Sequence, residues 1–360
     1  MSAVRSLTGF APSAPSGRGV ATPYPAGVSA ERLDEFALGP YAARWPGDFK
    51  LVTLSEDGVA PGGGAGRGIT LSMYLAFVAN NNSNRLLVSH SGNGTNWKPS
   101  TQVGSESSKR APAAAFISSG PQGFTLGFVA NNTSNQLLVS HSADGVTWSP
   151  NTQVQNQSSK AAPALAVFGG KLWMAFVAND ASNQLLVSQS ADGVTWNPST
   201  QVQNQSSKAA PALAVFGGKL WMAFMANNAS NQLLVSQSAD GVHWQPSTKV
   251  QNQASKAAPA LTVFENQLWI AFVANNASNQ LLVSHSADGV TWSPSTQVQN
   301  QKSHAKPALA VFDSKLWIAF VANNASNQLL VSHSAHGHNW SPSTEVQNQS
   351  SKAAPALLGV

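Results

Sequence analysis

Carboxylates at a regular spacing are the first candidates for chemistry in this sequence. The segment Ser-x-Asp-Gly-x-x-Trp recurs along the chain, for example as Ser286, Asp288, Gly289 and Trp292. An aspartate can serve as an acid, a base or a nucleophile, and paired carboxylates hydrolyse glycosidic bonds. An aspartate can equally hold a turn, because its carboxylate accepts backbone N–H groups while a following glycine supplies positive φ. The aspartates concerned are Asp144, Asp192, Asp240 and Asp288.

The spacing of these segments favours the structural role. The tryptophans that end them lie 51, 48, 48, 48 and 48 residues apart. One residue repeated at such intervals around a ring cannot supply the close carboxylate pair that a glycosidase needs. We therefore expect the aspartates to hold turns and the tryptophans to pack between strands. These tryptophans are Trp97, Trp148, Trp196, Trp244, Trp292 and Trp340.

A second set of candidates is a position that alternates between histidine and glutamine. This exchange preserves a hydrogen-bonding side chain but not a titrating group, which argues against acid–base and metal chemistry. It favours hydrogen bonding to a ligand or to a neighbouring residue. His333, His336 and His338 cluster in the last copy without a carboxylate partner, so we assign no metal site and no cofactor. The alternating residues are His90, His141, Gln189, Gln237, His285 and His333.

Asparagine-rich segments of the form VANNASNQ precede each of these positions. Their amides donate and accept hydrogen bonds without charge, which suits sugar hydroxyls, although Asn also commonly satisfies turns. An aromatic residue upstream, Trp173, Trp221, Trp269 or Trp317, could stack on a sugar or fill a core. The sequence is compatible with both roles for both residue types. The Asn candidates are Asn80, Asn84, Asn131, Asn135, Asn179, Asn183, Asn227, Asn231, Asn275, Asn279, Asn323 and Asn327.

All these candidates lie on a repeat of 48 residues that is typical of four β-strands. In one copy the strands are expected at 161–168, 171–179, 183–190 and 195–203. The second is a nearly continuous apolar run, as in a strand covered on both faces, and the fourth contains a proline, which suits an edge strand. Four antiparallel strands that end in an edge strand describe a propeller blade.

The copies predict an all-β fold, a six-bladed β-propeller at residues 67–360. Strands two to four occur six times from about Tyr74, and the sixth copy of strand one is the final segment, 352–360. We expect this segment to pair into the first blade and close the ring. Residues 1–66 are rich in Pro, Gly, Ser and Ala, which is typical of a partly disordered arm or of a docking segment for a protein partner. The three extra residues of the first interval are expected at 118–123.

The turn segments resemble the Asp-box of the sialidase-type bacterial neuraminidase (BNR) repeat. The segment from Ser190 to Trp196 matches it, with Asp192 at the box position, whereas Asn93 and His336 replace the Asp in the first and last copies. The whole repeat is also similar to that of bacterial β-propeller lectins. This resemblance implies a sialidase-like propeller fold, structural box aspartates and carbohydrate binding.

Sialidase chemistry is argued against by the residues that such an enzyme would need. The resemblance would require an arginine triad and a Tyr/Glu pair, but the chain has three tyrosines and its seven arginines all precede residue 111. Charged residues are only 10% of the chain at a net charge of +5, and the lysines are scattered, which argues against nucleic acid as a partner.

Cellular location is only weakly constrained by the sequence. No apolar stretch approaches the ~18 residues of a membrane span, and no secretory signal is recognisable at residues 1–30. The chain has no cysteine. These features are compatible with a cytoplasmic protein or with export by a non-Sec route.

The function predicted from these features is non-catalytic, multivalent carbohydrate binding, with glycans held at several sites per chain. Near-identity of the blades follows from recent duplication or from equivalent sites, and equivalent sites would give avidity. The alternative is a protein-interaction scaffold docked through residues 1–66. A glycoside hydrolase is the least favoured reading.

Overall fold

A computed structural model of the chain describes residues 71–117 and 123–360. In this range the chain forms 24 strands in six antiparallel four-stranded sheets. The described residues include no helix long and apolar enough to cross a membrane. The arm predicted at 1–66 and the insertion predicted at 118–123 fall on residues outside the described range, apart from Gly123.

Each sheet is one blade, and the prediction of six blades is confirmed. From innermost to outermost strand, blade 1 is β24 (Ala356–Gly359), β1 (Met73–Val78), β2 (Arg85–Ser91) and β3 (Thr101–Ser107), and blade 2 is β4 (Ala113–Phe116), β5 (Phe124–Val129), β6 (Gln136–Ser142) and β7 (Thr152–Ser158). In the same order, blade 3 is β8 (Ala164–Phe168), β9 (Lys171–Val177), β10 (Gln184–Ser190) and β11 (Thr200–Ser206), and blade 4 is β12 (Ala212–Phe216), β13 (Lys219–Met225), β14 (Gln232–Ser238) and β15 (Thr248–Ala254). Blade 5 is β16 (Ala260–Phe264), β17 (Gln267–Val273), β18 (Gln280–Ser286) and β19 (Thr296–Lys302), and blade 6 is β20 (Ala308–Phe312), β21 (Lys315–Val321), β22 (Gln328–Ser334) and β23 (Thr344–Ser350).

The ring closes through the last strand of the chain, as predicted. β24 pairs antiparallel with β1, so that Gly359 lies opposite Met73 and Ala356 opposite Ala76. Ser72 and Val360 extend the pairing with reciprocal backbone hydrogen bonds of 2.9 and 3.0 Å. A strand supplied by the distant end of the chain therefore completes blade 1.

The outermost strands differ from the prediction. In blade 3 the fourth strand runs from Thr200 to Ser206 and not across 195–203, so Pro198 precedes it. The reason is that proline has no N–H to donate to the ladder. The strand continues beyond the expected end through a bulge, at which Gln203 has φ 44°. The prediction of a proline within the edge strand is wrong.

The hydrophobic core lies between blades. Strand β9 is buried along six of its seven residues, as its apolar sequence predicts. Trp173 and Val177 of this strand pack in one cluster with Leu220 and Phe224 of blade 4. Each sheet is therefore covered on both faces by its neighbours.

The blades present two different ends to solvent, because successive strands within each blade are antiparallel. Turns between strands one and two, and between strands three and four, lie at one end, which we call the box face. Turns between strands two and three, and the connections from strand four to the next blade, lie at the other end, which we call the amide face.

Candidate ligand-binding site

The carboxylates of the box aspartates accept hydrogen bonds from their own turns. Oδ1 of Asp288 accepts hydrogen bonds from the backbone N–H groups of Thr291 (2.7 Å) and Val290 (2.8 Å) and from Oγ of Ser286 (2.9 Å). The bonds from Thr291 and Val290 hold the pKa of Asp288 at about 2, since they stabilise the carboxylate. In blade 1, Oδ1 of Asn93 accepts the same pair of backbone bonds. A charged oxygen is therefore not required at this position.

The aromatic residues of the second strands are almost fully buried. Trp173, Trp221, Trp269 and Trp317 are 2–4% exposed. The ring of His285 stacks on Trp269 at a centroid distance of 4.6 Å, and the backbone of Gly337 in the next blade lies against the same indole. The tryptophans fill the interface between blades, which favours their role in the core over that of a sugar-stacking platform.

The asparagines link neighbouring blades on the amide face. Asn183 has φ 54°, and its Nδ2 donates to Oδ1 of Asn227 in the next blade at 3.2 Å. Equivalent bonds of 3.1–3.4 Å join every pair of neighbouring blades and close a circle: Asn84 to Asn131, Asn135 to Asn179, Asn183 to Asn227, Asn231 to Asn275, Asn279 to Asn323 and Asn327 to Asn80. These amides serve turns and blade contacts, which favours their structural role.

The Asn and His/Gln candidates lie on opposite faces of the propeller. Asn183 immediately precedes β10, whereas Gln189 is the sixth residue of that strand. Six residues of extended chain span about 20 Å. One small ligand cannot contact both, so the structure separates residues that the sequence suggested as a single site.

An open groove lies on the box face between blades 3 and 4. Gln189, Asn197 and Pro198 of blade 3 and Val242 of blade 4 line a cleft of about 210 Å³, and an edge of Trp173 forms part of its floor. Val242 is 36% exposed, and its counterpart Val290 in blade 5 is 54% exposed. The groove therefore combines an amide side chain with a small apolar surface.

Two glutamines at the His/Gln position have a carbonyl oxygen without a hydrogen-bond partner. Oε1 of Gln189 and Oε1 of Gln237 are buried and have no partner among the described residues, although each side chain as a whole is only half-buried. In blades 5 and 6, Nδ1 of His285 and of His333 bonds to Oγ of Ser293 and of Ser341 at 3.0 and 3.1 Å. Burial lowers the pKa of both imidazoles, and neighbouring positive groups lower it further. Neutral rings with one nitrogen engaged suit hydrogen bonding to an uncharged ligand.

Blade 2 is an exception to this arrangement. Thr125 stands where other blades have an aromatic residue, and His141 fills the vacant space at 4% exposure. Its Nδ1 bonds to Oγ1 of Thr125 and its Nε2 to the carbonyl of Gly193, both at 3.0 Å. His141 is therefore a structural residue.

The three histidines of blade 6 do not converge. His336 Nδ1 lies 2.9 Å from Oε1 of Glu265 in blade 5, and His338 packs edge-on against His285 at 5.3 Å. His333 instead packs against Trp317 within its own blade, with the two rings tilted by 31°. No group of three or more potential metal ligands forms among the described residues.

Sequence reasoning missed the residue that follows each box tryptophan. Its backbone N–H bonds to the carbonyl of the His/Gln residue, for example Ser293 to His285 at 2.8 Å and Asn197 to Gln189 at 2.9 Å. A signal was present in the sequence: this residue is serine beside His141, His285 and His333, and it is Asn or Gln beside the two glutamines.

Comparison with known proteins supports the architecture. Residues 191–356 match the DUF6242 beta propeller domain family. No curated protein sequence matches the chain.

Solved structures similar to this chain include both sugar-binding and sugar-cleaving proteins. The BP39L lectin of Burkholderia pseudomallei is 17% identical with a TM-score of 0.57, over 78% of this chain and 82% of that one. An Aleuria aurantia lectin, solved with Fucalpha1-6GlcNAc, is 14% identical with a TM-score of 0.56, over 76% and 92%. An alpha-L-arabinanase of Penicillium chrysogenum, solved with arabinobiose, is 13% identical with a TM-score of 0.56, over 73% and 89%. At such identities the likeness establishes the fold alone.

Proposed function

We propose that the protein is a non-catalytic, lectin-like propeller that binds neutral sugars in the grooves of the box face. The observation that carries this proposal is the pairing of a half-buried glutamine, whose Oε1 has no hydrogen-bond partner among the described residues, with an exposed apolar side chain of the next blade, as with Gln189 and Val242. Sugars present hydroxyls and C–H faces together, and this pairing offers a partner for each.

Five grooves are proposed as working sites, because the sixth is closed by His141. The polar residues of the five are His90, Gln189, Gln237, His285 and His333. Each site alone offers few contacts, and useful affinity would come from several sites engaging one multivalent glycan.

The carboxylates support binding without hydrolysis. A glycosidase needs one carboxylic acid with a raised pKa beside a second carboxylate. Asp144, Asp192 and Asp288 have pKa values of about 2, because backbone N–H groups stabilise their charged forms. The lectins and the arabinanase share the architecture, so the distinction depends on these residues and not on the fold.

Titration calorimetry of the full chain with the best sugar from a glycan array tests the proposal. We expect about five equivalent sites per chain, falling to about three in the double variant Gln189→Ala/Gln237→Ala. The control Asn227→Ala/Asn275→Ala alters the amide face and should keep all the sites. Unchanged stoichiometry in the groove variant, or absence of binding to any neutral glycan, would contradict the proposal.

Incubation with arabino-oligosaccharides and other neutral oligosaccharides tests the non-catalytic part. We expect no release of reducing sugar above a heat-denatured control. If repurified protein still released reducing sugar, the protein would be catalytic and the groove residues would be substrate contacts.

A further inference from the structure

A ring of lysines lies on the amide face, opposite the grooves. The connections between blades carry Lys109, Lys160, Lys208, Lys256 and Lys352 at equivalent positions, with His304 at the sixth, and all six side chains are exposed. These lysines look scattered along the sequence, but a period of about 48 residues gathers them on one face.

Each lysine is held in place by an amide of the next blade. Nζ of Lys160 donates to Oδ1 of Asn183 at 2.8 Å, and Nζ of Lys256 donates to Oδ1 of Asn279 at the same distance. Equivalent bonds of 3.0–3.3 Å hold Lys109, Lys208 and Lys352. These amide partners are neutral, so they do not compensate the positive charge, and each ammonium has three donors. Hydrogen bonds from Ser182 lower the pKa of the Asp180 carboxylate, and the ammonium of Lys160, alone among the ring lysines, lies close enough to lower it further.

The charge of the propeller is divided between its faces. Arg85, Arg110 and Lys302 lie at the same blade ends as the lysine ring. The described carboxylates there are Asp180 and, towards the rim, Glu106 and Glu345, the last of which accepts a hydrogen bond from Gln328 at the start of β22. The box aspartates all lie at the opposite ends. The amide face is therefore strongly cationic, although charged residues are only 10% of the chain.

A further ammonium stands near the propeller axis on this face. Ala111, Ala162, Ala210, Ala258 and Ala354, one from each of five blade connections, meet in a single cluster. Lys306 occupies the sixth equivalent position, and its side chain has no hydrogen-bond partner among the described residues. Burial lowers the pKa of its ammonium to about 8, so it remains largely protonated at neutral pH. The side chain of Lys306 is only partly exposed, so its charge is less well hydrated than that of a surface lysine and would be stabilised by a bound anion.

The surface around these cations is polar. The large hydrophobic residues exposed in the described part of the chain are Leu71, four box-turn valines, and Val215 and Val311 near the ends of first strands that lead to the box face. The amide face thus offers no apolar side chain for insertion into lipid and no aromatic platform for stacked bases. Its Asn amides are suited to hydroxyl groups.

We propose that the amide face binds a polysaccharide bearing carboxylate or sulfate groups, which lies across the axis and pairs with Lys306 and the lysine ring. Because the cations are arranged around an axis, a polymer with several negative charges can bind to them in several equivalent orientations. Such binding is multivalent and depends on salt. This second site is independent of the grooves on the box face.

Binding of the full chain to immobilised polygalacturonate and chondroitin sulfate tests the proposal, with dextran as the neutral polymer and duplex DNA as the competing polyanion. The test variant is Lys160→Gln/Lys208→Gln/Lys256→Gln. The matched control is Lys171→Gln/Lys219→Gln/Lys315→Gln, which removes the same charge from turns of the box face. Lys306→Ala restores the residue found in the other five connections and is expected to fold.

We expect the amide-face triple variant to bind at least 10-fold more weakly, with a shallower salt dependence, and the box-face control to stay within about twofold of the wild type. Lys306→Ala should weaken binding by roughly threefold to tenfold. Equal loss in the two triple variants would overturn the proposal, as would tighter binding to DNA than to either polysaccharide, or binding to dextran alone. The groove variant Gln189→Ala/Gln237→Ala should keep polyanion binding, so the failure of either site is seen separately.

Discussion

The backbone of Gly289 lies directly against the indole ring of Trp221 in the preceding blade. A Cβ added to Gly289 would stand 2.1 Å from Cη2 of Trp221, and Gly289 also has φ 74°. Glycine is therefore required here both for its conformation and for its lack of a side chain. Gly241 on Trp173 and Gly337 on Trp269 repeat this contact. Each box turn thus fastens its blade to the one before it.

Gly289→Ala is expected to lower the free energy of unfolding by about 3 kcal/mol or more, because strain at positive φ adds to overpacking. The control is Gly218→Ala, at φ 69° with no atom within 4 Å of the added methyl group. The free energy of unfolding of Gly218→Ala should fall by only about 1 kcal/mol, the part that comes from an unfavourable φ. Guanidinium unfolding of the two variants measures the difference, and equal losses would show that the contact with Trp221 is unimportant.

Features that lie within a single blade could be predicted from the sequence. The period, the doubly buried second strand and the spare first strand at 352–360 led to six blades and to the closure of β24 on β1. Contacts between blades were not predictable in the same way, because an apolar pattern shows that a strand is covered but not by which residue. The Gly289–Trp221 contact, the Asn183–Asn227 bond and the lysine ring all depend on how neighbouring blades are offset.

Thr125→Trp is expected to destabilise the protein by about 1–3 kcal/mol, since His141 already fills the space that an indole occupies elsewhere. The double variant Thr125→Trp/His141→Gln reproduces the pair found in blades 3 and 4 and should recover most of that loss. It should also open a sixth groove, raising the sugar stoichiometry by about one equivalent. Recovery of stability without an added equivalent would contradict the assignment of the grooves as sites.

Lys306→Ala is expected to stabilise the protein at pH 7, by at most about 3 kcal/mol for a shift from 10.5 to about 8. Below pH 8 Lys306 is protonated in both the folded and the unfolded state, so the full cost of burying its charge lowers the stability of the wild type. Between pH 8 and 10.5 the folded state releases its proton while the unfolded state keeps it, so the wild type gains stability as pH rises. The advantage of Lys306→Ala should therefore shrink across this window in chemical unfolding. An advantage independent of pH would instead indicate a packing effect.

Asp288→Ala is expected to cost about 1–2 kcal/mol, because two backbone N–H groups of the box turn lose their acceptor. Asp288→Asn should cost less than about 1 kcal/mol, since Asn93 already makes these bonds in blade 1. The carboxylate has a folded pKa of about 2 against an ordinary 3.8. Its stabilising contribution is therefore complete above pH 3.8 and is lost as pH falls towards 2, and this dependence should be absent from Asp288→Asn. Unfolding between pH 2 and 5 compares the variants. If Asp288→Asn folded normally but lost sugar binding, the box carboxylate would have to contact the ligand, and its purely structural role would be wrong.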